Sequence, residues 1–379
     1  MGLGIKKALK GYINNKRIEK QIQFERGHEE YLVMNSVPAN VRKPLTDQEK
    51  QAAIELWGKA VPAPYSWKEF EVYKFFNGFD ARFMPMSFYL PWITRRLNDY
   101  EYAPIFEHKS LLGYLTKGPI RFPHSFVKAV AGDLYSSDMH QISEEEAVEA
   151  CLKEDKLVVK DSVGGSGGKG IEILKMGGVT LGQRKKIILN AIRHRAGNFV
   201  IQEFLHEHET LQRFNSSSVN TIRIQTLYLN GKCTAVTTIL RMGGDGAEVD
   251  NACSGGISVG IHPDGRLYEF GYDNQTNQYR GKKGIVFKDT VIDQIPNLIN
   301  TAIEAHVNEF PLCKYIGWDF IIDKDDNPIC IELNSCQNGH LIFQLSAGPT
   351  FGERTQEVID YCKDKPFTYK QTSFSNTPR

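Results

Sequence analysis

The residues best suited to do chemistry lie in one predicted β-hairpin near the C-terminus. Two apolar segments, YIGWDFIID and NPICIELN, flank a short polar turn. If Asp323 pairs with Pro328 across this turn, Asp319 lies opposite Glu332, and Asn334 shares their face because side chains alternate along a strand. Carboxylates in an apolar hairpin are costly to bury unless a cation accompanies them, and hard oxygen ligands suit Mg²⁺. The spacing therefore predicts a metal site formed by Asp319, Glu332 and Asn334.

A glycine-rich segment, DSVGGSGGKG, is the second candidate. Such a loop exposes backbone N–H groups that can bind phosphate oxygens. It is not a Walker A loop, since Val163 and Gly170 stand where that motif needs glycine and a hydroxyl residue. A strand rather than a helix is predicted after it, which excludes a dinucleotide-binding fingerprint. Lys160 precedes the loop, whereas the phosphate-binding lysine of protein kinases follows theirs.

The elements around these residues predict an α+β fold rather than a doubly wound sheet, because most strands are joined as hairpins. A capping box, Ser143-x-x-Glu146, marks one helix start. The other predicted helices cover about 181–196, 290–309 and 352–363. The predicted strands cover 157–160, 171–174, 198–204, 221–229, 234–241, 256–261 and 267–272, followed by the hairpin over 315–334.

The first hundred residues are predicted to be mostly helical. One helix is expected over 47–60, and residues 61–91 are expected to pack against the body without regular structure. Residues 1–23 read as a basic amphipathic helix. It could be an ordinary solvated surface helix or make weak contact with an anionic membrane surface, and the sequence leaves both open.

Composition excludes several classes of protein. The 379 residues carry a formal net charge of +1, which gives no bulk reason to expect nucleic acid as a partner. No apolar run is long enough to span a membrane, and the N-terminus lacks the features of a secretory signal. Seven cysteines without a CxxC pair favour neither a disulfide framework nor a zinc site. A cytoplasmic location is predicted, with a peripheral position at the inner membrane face left open.

The order strand, Lys160, glycine loop, strand, followed by the acidic hairpin, resembles the ATP-grasp superfamily. In detail it is most similar to the sugar-transfer-associated ATP-grasp family, relatives of glutamate-ligase-like carboxylate–amine ligases. The segments VVKDSVGGSGGKG, SVNTIRIQTL, NACSGG and GWDFIID with IELN carry this resemblance, which covers roughly residues 105–365. It implies two α+β lobes that hold ATP between them, with one or two Mg²⁺ ions, or Mn²⁺ in their place. The N-terminal hundred residues depart from the βαβ pattern that often precedes this fold.

The resemblance also implies roles for individual residues. Arg223 would contact the transferring phosphate, Arg241 would lie near the substrate, and Asn251 would close on the phosphates. Glu209 is our choice for the ribose hydroxyls, with Glu207 as the alternative because the HEHE run leaves the register ambiguous. The residues implied to bind the rest of the nucleotide are Lys109, Lys160, Gly165, Ser166, Gly167, Gly168, Lys169, Gln202, Glu203, Phe204 and Leu205. The implied metal ligands are Asp319, Glu332 and Asn334.

Four segments follow from this interpretation: a helical region (1–104), a nucleotide and lid lobe (105–205), a C-terminal catalytic lobe (206–367) and a loose tail (368–379). The expected activity is ATP-dependent C–N ligation through an acylphosphate, in cell-surface polysaccharide or sugar-conjugate synthesis. Its substrates would be a small-molecule or glycan-precursor carboxylate and an amine such as an amino acid. Two alternatives stay open: a phosphotransferase acting on a sugar or small-molecule acceptor, and a non-enzymatic nucleotide-binding subunit, which the complete metal-ligand set disfavours.

Overall fold

The computed structural model describes residues 2–118, 120–164, 170–195, 197–244 and 255–365, and for residues 2–15 the backbone alone. Three parts of the sequence predictions lie outside these residues. They are the loop positions Gly165, Ser166, Gly167, Gly168 and Lys169, then Asn251, and the tail from Thr368.

Helices dominate the N-terminal region. Helix α1 runs to Ser36 rather than ending at residue 23, and it stops just before Val37-Pro38 because the residue ahead of a proline disfavours helical backbone. The expectation that 61–91 lacks regular structure was wrong, since Phe70 and Tyr73 bury one face of a further helix. The helices here are α1 (Gly2–Ser36), α2 (Asp47–Trp57), α3 (Lys68–Asn77), α4 (Met86–Phe88) and α5 (Thr94–Leu97), with a π-helical turn at Tyr89–Ile93.

The middle of the chain forms an antiparallel five-stranded sheet with the order β2-β1-β5-β3-β4. The capping box is confirmed: Ser143 accepts from the backbone of Glu146, whose carboxylate accepts from the backbone of Ser143. Its elements are α6 (Lys109–Leu115), β1 (Ser125–Val130), β2 (Asp133–Tyr135), α7 (Glu144–Cys151), β3 (Lys156–Asp161), β4 (Ile171–Lys175), α8 (Leu181–Arg193) and β5 (Phe199–Glu203). Helices α7 and α8 cover one face of the sheet with a core of their own.

The C-terminal part is built on a seven-stranded antiparallel sheet with the order β10-β9-β8-β7-β6-β13-β14. Helix α10 begins at Ile295, later than predicted, because Pro296 occupies its first turn. The elements are α9 (Glu209–Gln212), β6 (Thr221–Leu229), β7 (Lys232–Met242), β8 (Ile257–Ile261), β9 (Leu267–Tyr272), β10 (Gln278–Tyr279), β11 (Gly281–Lys282), β12 (Ile285–Val286), α10 (Ile295–Glu309), β13 (Tyr315–Ile322), β14 (Pro328–Asn334), α11 (Leu341–Ala347) and α12 (Thr355–Lys363).

The large sheet is covered on both faces. Helix α10 packs on one face in a core that includes Trp318. The other face, with Leu227 and Tyr315, shares its core with the N-terminal helices and with α11 and α12. The predicted α+β class is confirmed, and the helical N-terminal region is part of the same packed body as the large sheet. Among the described residues, no helix is both long enough and apolar enough to cross a bilayer.

Candidate functional site

The predicted hairpin forms, and it places Asp319 directly opposite Glu332. The pairing near the turn differs from the prediction: Ile322, not Asp323, pairs with Pro328. Ile331 is an extra residue on β14 between the pairs Asp319–Glu332 and Phe320–Cys330. This β-bulge shifts the register by one residue. The pair predicted next to the turn is therefore wrong, whereas Asp319 and Glu332 lie opposite each other as predicted.

Asp319 is 2% exposed and is bound by two arginines. Arg223, its neighbour on β6, donates through Nε and Nη2 to both carboxylate oxygens, the Nη2 bond being 2.6 Å long. Arg241 on β7 approaches the same carboxylate at 3.4 Å. Bidentate guanidinium–carboxylate pairs are among the strongest polar contacts in proteins. Asp319 therefore has cationic partners within the chain, which the sequence argument from unpaired burial did not anticipate.

Electrostatics around Asp319 keep it ionised. Burial opposes ionisation, but the charges of Arg223 and Arg241 outweigh it and hold the pKa of Asp319 below its usual range. Burial likewise acts against the charged form of Arg223, while the charge of Asp319 raises the pKa of the guanidinium overall. The third arm of Arg223 is also occupied, since Nη1 donates to Asn338 Oδ1 at 3.1 Å. Arg223 is thus fixed inside the protein, and Arg241 is the more exposed of the two.

Glu332 is paired with a lysine from the other lobe. Lys109 Nζ lies 2.9 Å from Glu332 Oε1, and the Lys109 backbone N–H donates to Ser162 O next to the glycine loop. Lys109 therefore connects the hairpin to the five-stranded sheet, here named the lid sheet.

The donor set fits a divalent cation. Asn334 Nδ2 is buried without a hydrogen-bond partner among the described residues. Two carboxylates and this amide are hard oxygen donors of the kind that Mg²⁺ prefers. In the described part of the chain, no group of three His, Cys, Asp or Glu side chains could hold a metal ion, and the predicted set has only two such residues.

A cavity of about 290 Å³ lies between the two sheets and ends at the hairpin. Val158 and Ile173 line it from the lid sheet, and Ile321 and Ile331 line it from the hairpin. Lys160, which is predicted to bind the nucleotide, lies in its wall. An apolar slot with a lysine at its edge suits a flat base with attached phosphates.

The four-residue segment predicted to bracket adenine lies at the end of β5. Glu203, Phe204 and Leu205 line the first cavity, and Gln202 lines a second one of about 280 Å³. The Glu203 side chain is engaged elsewhere, accepting from the backbone of His124 at 2.7 Å. Gln202 Oε1 is buried and has no partner among the described residues, so it is free to accept from a ligand.

The two candidate ribose ligands occupy different surroundings. Glu207 lines the cavity, but its carboxylate accepts from the backbone and the side chain of Asn220 at 2.6 and 2.8 Å. Glu209 is the first residue of α9 and is not part of the cavity wall. The choice between them stays a prediction.

Lys128 is a residue of the site that the sequence analysis missed. It pairs with Val200, which pairs with Lys160, so that the two lysines lie in one row on the open face of the lid sheet. Lys128 is 4% exposed, burial lowers its pKa, and its Nζ donates to Ser137 O at 2.8 Å. It lines the second cavity together with Lys109. The sequence signal for Lys128 was a single charge inside the apolar segment SFVKAV. The residues that lie beside Lys128 are set by the order of the strands in the sheet.

Arg195 was also missed, although it holds both ends of the glycine loop. Its Nη1 donates to Asp161 Oδ1 and to Gly170 O, each at 2.7 Å. Gly170 has φ +78°, and a Cβ there would lie 2.1 Å from Asp161 Oδ2. Position 170 therefore requires glycine, and one half-buried guanidinium holds both described ends of the loop.

Comparison with protein families matches residues 92–360, more than half of the chain, to the family described as sugar-transfer associated ATP-grasp. No curated protein matches the chain.

Solved structures with a similar fold have low sequence identity. D-cycloserine synthetase is 14% identical over 69% of this chain and 73% of its own, with a TM-score of 0.41. D-alanyl-alanine synthetase A from Vibrio cholerae is 13% identical over 64% of this chain, with a TM-score of 0.36. Biotin carboxylase from Campylobacter jejuni is 13% identical over 70% of this chain, with a TM-score of 0.43. The chain spans 60% and 48% of the lengths of the latter two.

Proposed function

The chain belongs to the sugar-transfer associated ATP-grasp family, as its sequence motifs predicted, and on that premise we propose that it is an ATP-dependent carboxylate–amine ligase. The observation that carries this proposal is the cross-strand pair Asp319–Glu332, surrounded by Arg223, Arg241 and Lys109 beside the cavity between the lobes. Such a cluster concentrates charge where a phosphoryl group would be transferred.

We assign the base of ATP to the first cavity and its phosphates to the lysines of the two cavity walls. Val158, Ile173, Ile321 and Ile331 would hold the adenine ring by apolar contact from both faces. Gln202 lies in the wall of the second cavity, where its unpaired Oε1 would accept a hydrogen bond from the nucleotide. The nucleotide phosphates would then lie near Lys160 and Lys109, which belong to the same part of the chain as the lid sheet.

Asp319, Glu332 and Asn334 would hold the metal ion. Mg²⁺ supplies charge neutralisation between the β- and γ-phosphates when it is bound. Arg223 positions the Asp319 carboxylate, since all three of its donor groups are engaged inside the protein. Arg241, being more exposed, would contact the oxygens of the transferring phosphoryl group.

In the proposed reaction, a carboxylate oxygen of the acid attacks the γ-phosphorus of ATP. The bond from that phosphorus to the bridging oxygen breaks, and ADP leaves. A neutral amine then attacks the acyl carbon, phosphate departs with its electron pair, and the amine loses a proton as the C–N bond forms. Positioning and fixed positive charge supply most of the catalysis, as in phosphoryl transfer generally.

The substrate class is proposed from the family's association with sugar transfer. We assign the acid to a small-molecule or glycan-precursor carboxylate and the amine to an amino acid or amino sugar, in cell-surface polysaccharide synthesis. A cytoplasmic location follows from the need for ATP.

Hydroxylamine provides a test that does not require the natural amine. A panel of amino acids and sugar acids is incubated with the protein, MgATP and hydroxylamine, and hydroxamate is measured. A ligase forms hydroxamate from at least one acid in step with ADP release. Arg241→Gln should lose most of that product, whereas the matched surface variant Arg266→Gln should keep it.

A phosphotransferase would behave differently in the same assay. ADP would form with an acceptor that carries the phosphate, no free phosphate would be released, and no hydroxamate would appear. That result would overturn the ligase proposal while preserving the nucleotide site.

A further inference from the structure

Helix α1 is anchored to the body by one face. Ile22 is 3% exposed and Arg26 is 6% exposed. Arg26 donates to the carbonyl oxygens of Pro62, at 3.1 Å, and Pro64. The helix is about 50 Å long at 1.5 Å per residue, which is long enough to present a second, extended face.

Two acidic residues of α1 form ion pairs with the body. Glu25 lies 3.2 Å from Arg95, and Glu30 lies 2.5 Å from Lys68. Glu19 is the only exposed acidic residue between positions 16 and 36, and it forms an ion pair with Lys16. The outward face of the helix is thereby left without a free carboxylate.

The opposite face carries basic and aromatic side chains at helical spacing. Arg17, Lys20, Phe24, His28 and Tyr31, here named the α1 stripe, are all exposed and follow one another at intervals of three or four residues. Phe24 is 66% exposed and Tyr31 is 61% exposed. Leu32, beside Tyr31, is 50% exposed. The sequence of residues 2–15 adds three lysines and no acidic residue.

We propose that the α1 stripe binds the surface of a membrane that contains anionic lipid, with α1 lying along the bilayer. Basic residues are attracted to the negative surface potential, and aromatic side chains insert at the level of the headgroups. The net charge of the whole chain is only +1, so the attraction is local to this helix. The proposal is independent of the proposed ligase activity.

A second copy of the chain fits this face less well. The α1 stripe has no acidic residue to pair with the cations of another copy. Three large apolar side chains along one helix also cover much less area than the roughly 1,200 Å² that a stable protein interface buries. Charge complementarity therefore favours lipid headgroups.

Vesicle sedimentation of the full chain tests the proposal. The protein is mixed with vesicles of phosphatidylcholine alone or with added phosphatidylglycerol, at low and high salt. We expect binding only when phosphatidylglycerol is present, and loss of binding at high salt. Arg17→Gln with Lys20→Gln should weaken binding about 30-fold, from the usual contribution of one basic residue near a charged membrane. Phe24→Ala with Tyr31→Ala should weaken it as well.

A matched control removes the same charge elsewhere. Lys185→Gln with Lys186→Gln, on the exposed side of α8, should bind vesicles like the unmodified chain. Equal binding to both kinds of vesicle, equal loss in the α8 control, or no binding at all would overturn the proposal. The proposal would also be overturned if light scattering shows a dimer that Phe24→Ala with Tyr31→Ala abolishes and the protein does not bind vesicles. Circular dichroism of each variant confirms that the helices are intact.

Discussion

Asp319 is a carboxylate inside an apolar strand, and two arginines explain why it can be buried there. Arg223 and Arg241 neutralise it within the protein, while Glu332 across the hairpin is paired with Lys109 and is more exposed. The two carboxylates therefore differ: one is fixed by the fold, and the other is held by a lysine that a ligand could displace. This difference decides which substitution tests the metal site.

Glu332→Gln should weaken binding of Mg²⁺ in the presence of ATP. The amide keeps the size of the side chain but loses the charge, and even outer partners of a metal site contribute about 10–100-fold to metal affinity. Titration of activity with Mg²⁺ measures the shift in half-saturation, which should be at least about tenfold. An unchanged magnesium requirement would contradict the assignment of Glu332 as a ligand.

Asp319→Asn is a poorer probe of the same site. Removing the charge leaves Arg223 buried without its partner, and breaking a buried ion pair costs about 3–5 kcal/mol. Its loss of activity would therefore include a loss of stability, whereas Glu332→Gln, at a more exposed carboxylate, should lower the free energy of unfolding less.

Glu69 should make stability depend on pH. Burial raises its pKa to about 7, although three hydrogen bonds from Met86 and Ser87 favour the ionised form. The unfolded side chain titrates near 4.5, so between these values the folded state holds an extra proton and stability falls as pH rises. Relative to Glu69→Gln, the unmodified chain should lose up to about 3 kcal/mol between pH 4.5 and 7. Urea unfolding measures the free energy of unfolding of both chains. The same difference between the two chains at pH 4.5 and at pH 7 would contradict this.

At the scale of elements, the hairpin β13–β14 and strand β6 form the frame of the site. Gly317 lies opposite Asn334, and a Cβ there would be 2.0 Å from Asn338 Oδ1 and 3.3 Å from Arg223 Nη1. The bare backbone of β13 therefore allows Asn338 to reach Arg223.

Gly317→Ala should displace Asn338 and disturb Arg223, at a cost of about 1–3 kcal/mol for overpacking. We expect a lower kcat with little change in the KM for ATP, since the base lies elsewhere in the cavity. Gly339→Ala is the matched control, because an added Cβ there meets nothing within 4 Å. Asn338→Ala removes the acceptor of Arg223 Nη1 directly, so a full kcat in that variant would contradict the explanation.

The sequence predicted β3, β4 and β5 of the lid sheet and the longer strands of the large sheet, because hydrophobic runs act locally, but it missed β1 and β2. Counting from the turn also placed Asp319 opposite Glu332, although the assumed pair Asp323–Pro328 does not form. It could not reveal the bulge at Ile331, since an extra residue on one strand leaves no mark on its own sequence. Lys128 was missed for a related reason: its position beside Lys160 depends on strand order, which is a property of the whole sheet.

For the whole molecule, the N-terminal helices and the large sheet share one hydrophobic core, whereas the lid sheet has its own. Packed elements that share a core unfold together. In native-state hydrogen exchange with increasing denaturant, α3 and β6 should therefore lose protection together. Strands β3 and β5 of the lid should lose protection at lower denaturant. Earlier opening of α3 than of β6 would show that the helical region is an independent unit.

The same architecture gives the site its two sides. The lid sheet contributes Lys160 and Lys128 to the walls of the two cavities, and the large sheet contributes Asp319 with Arg223 and Arg241. Lys109 joins them through its ion pair with Glu332.

The central claim is that a substrate carboxylate becomes an acylphosphate at this site, and oxygen-18 tests it most directly. An acid that gives hydroxamate is labelled with oxygen-18 in its carboxylate and turned over with ATP and an amine, and the released phosphate is analysed by mass spectrometry. The account predicts one labelled oxygen in each phosphate formed from fully labelled acid. Phosphate without label, or phosphate found attached to the acceptor instead of free, would contradict it.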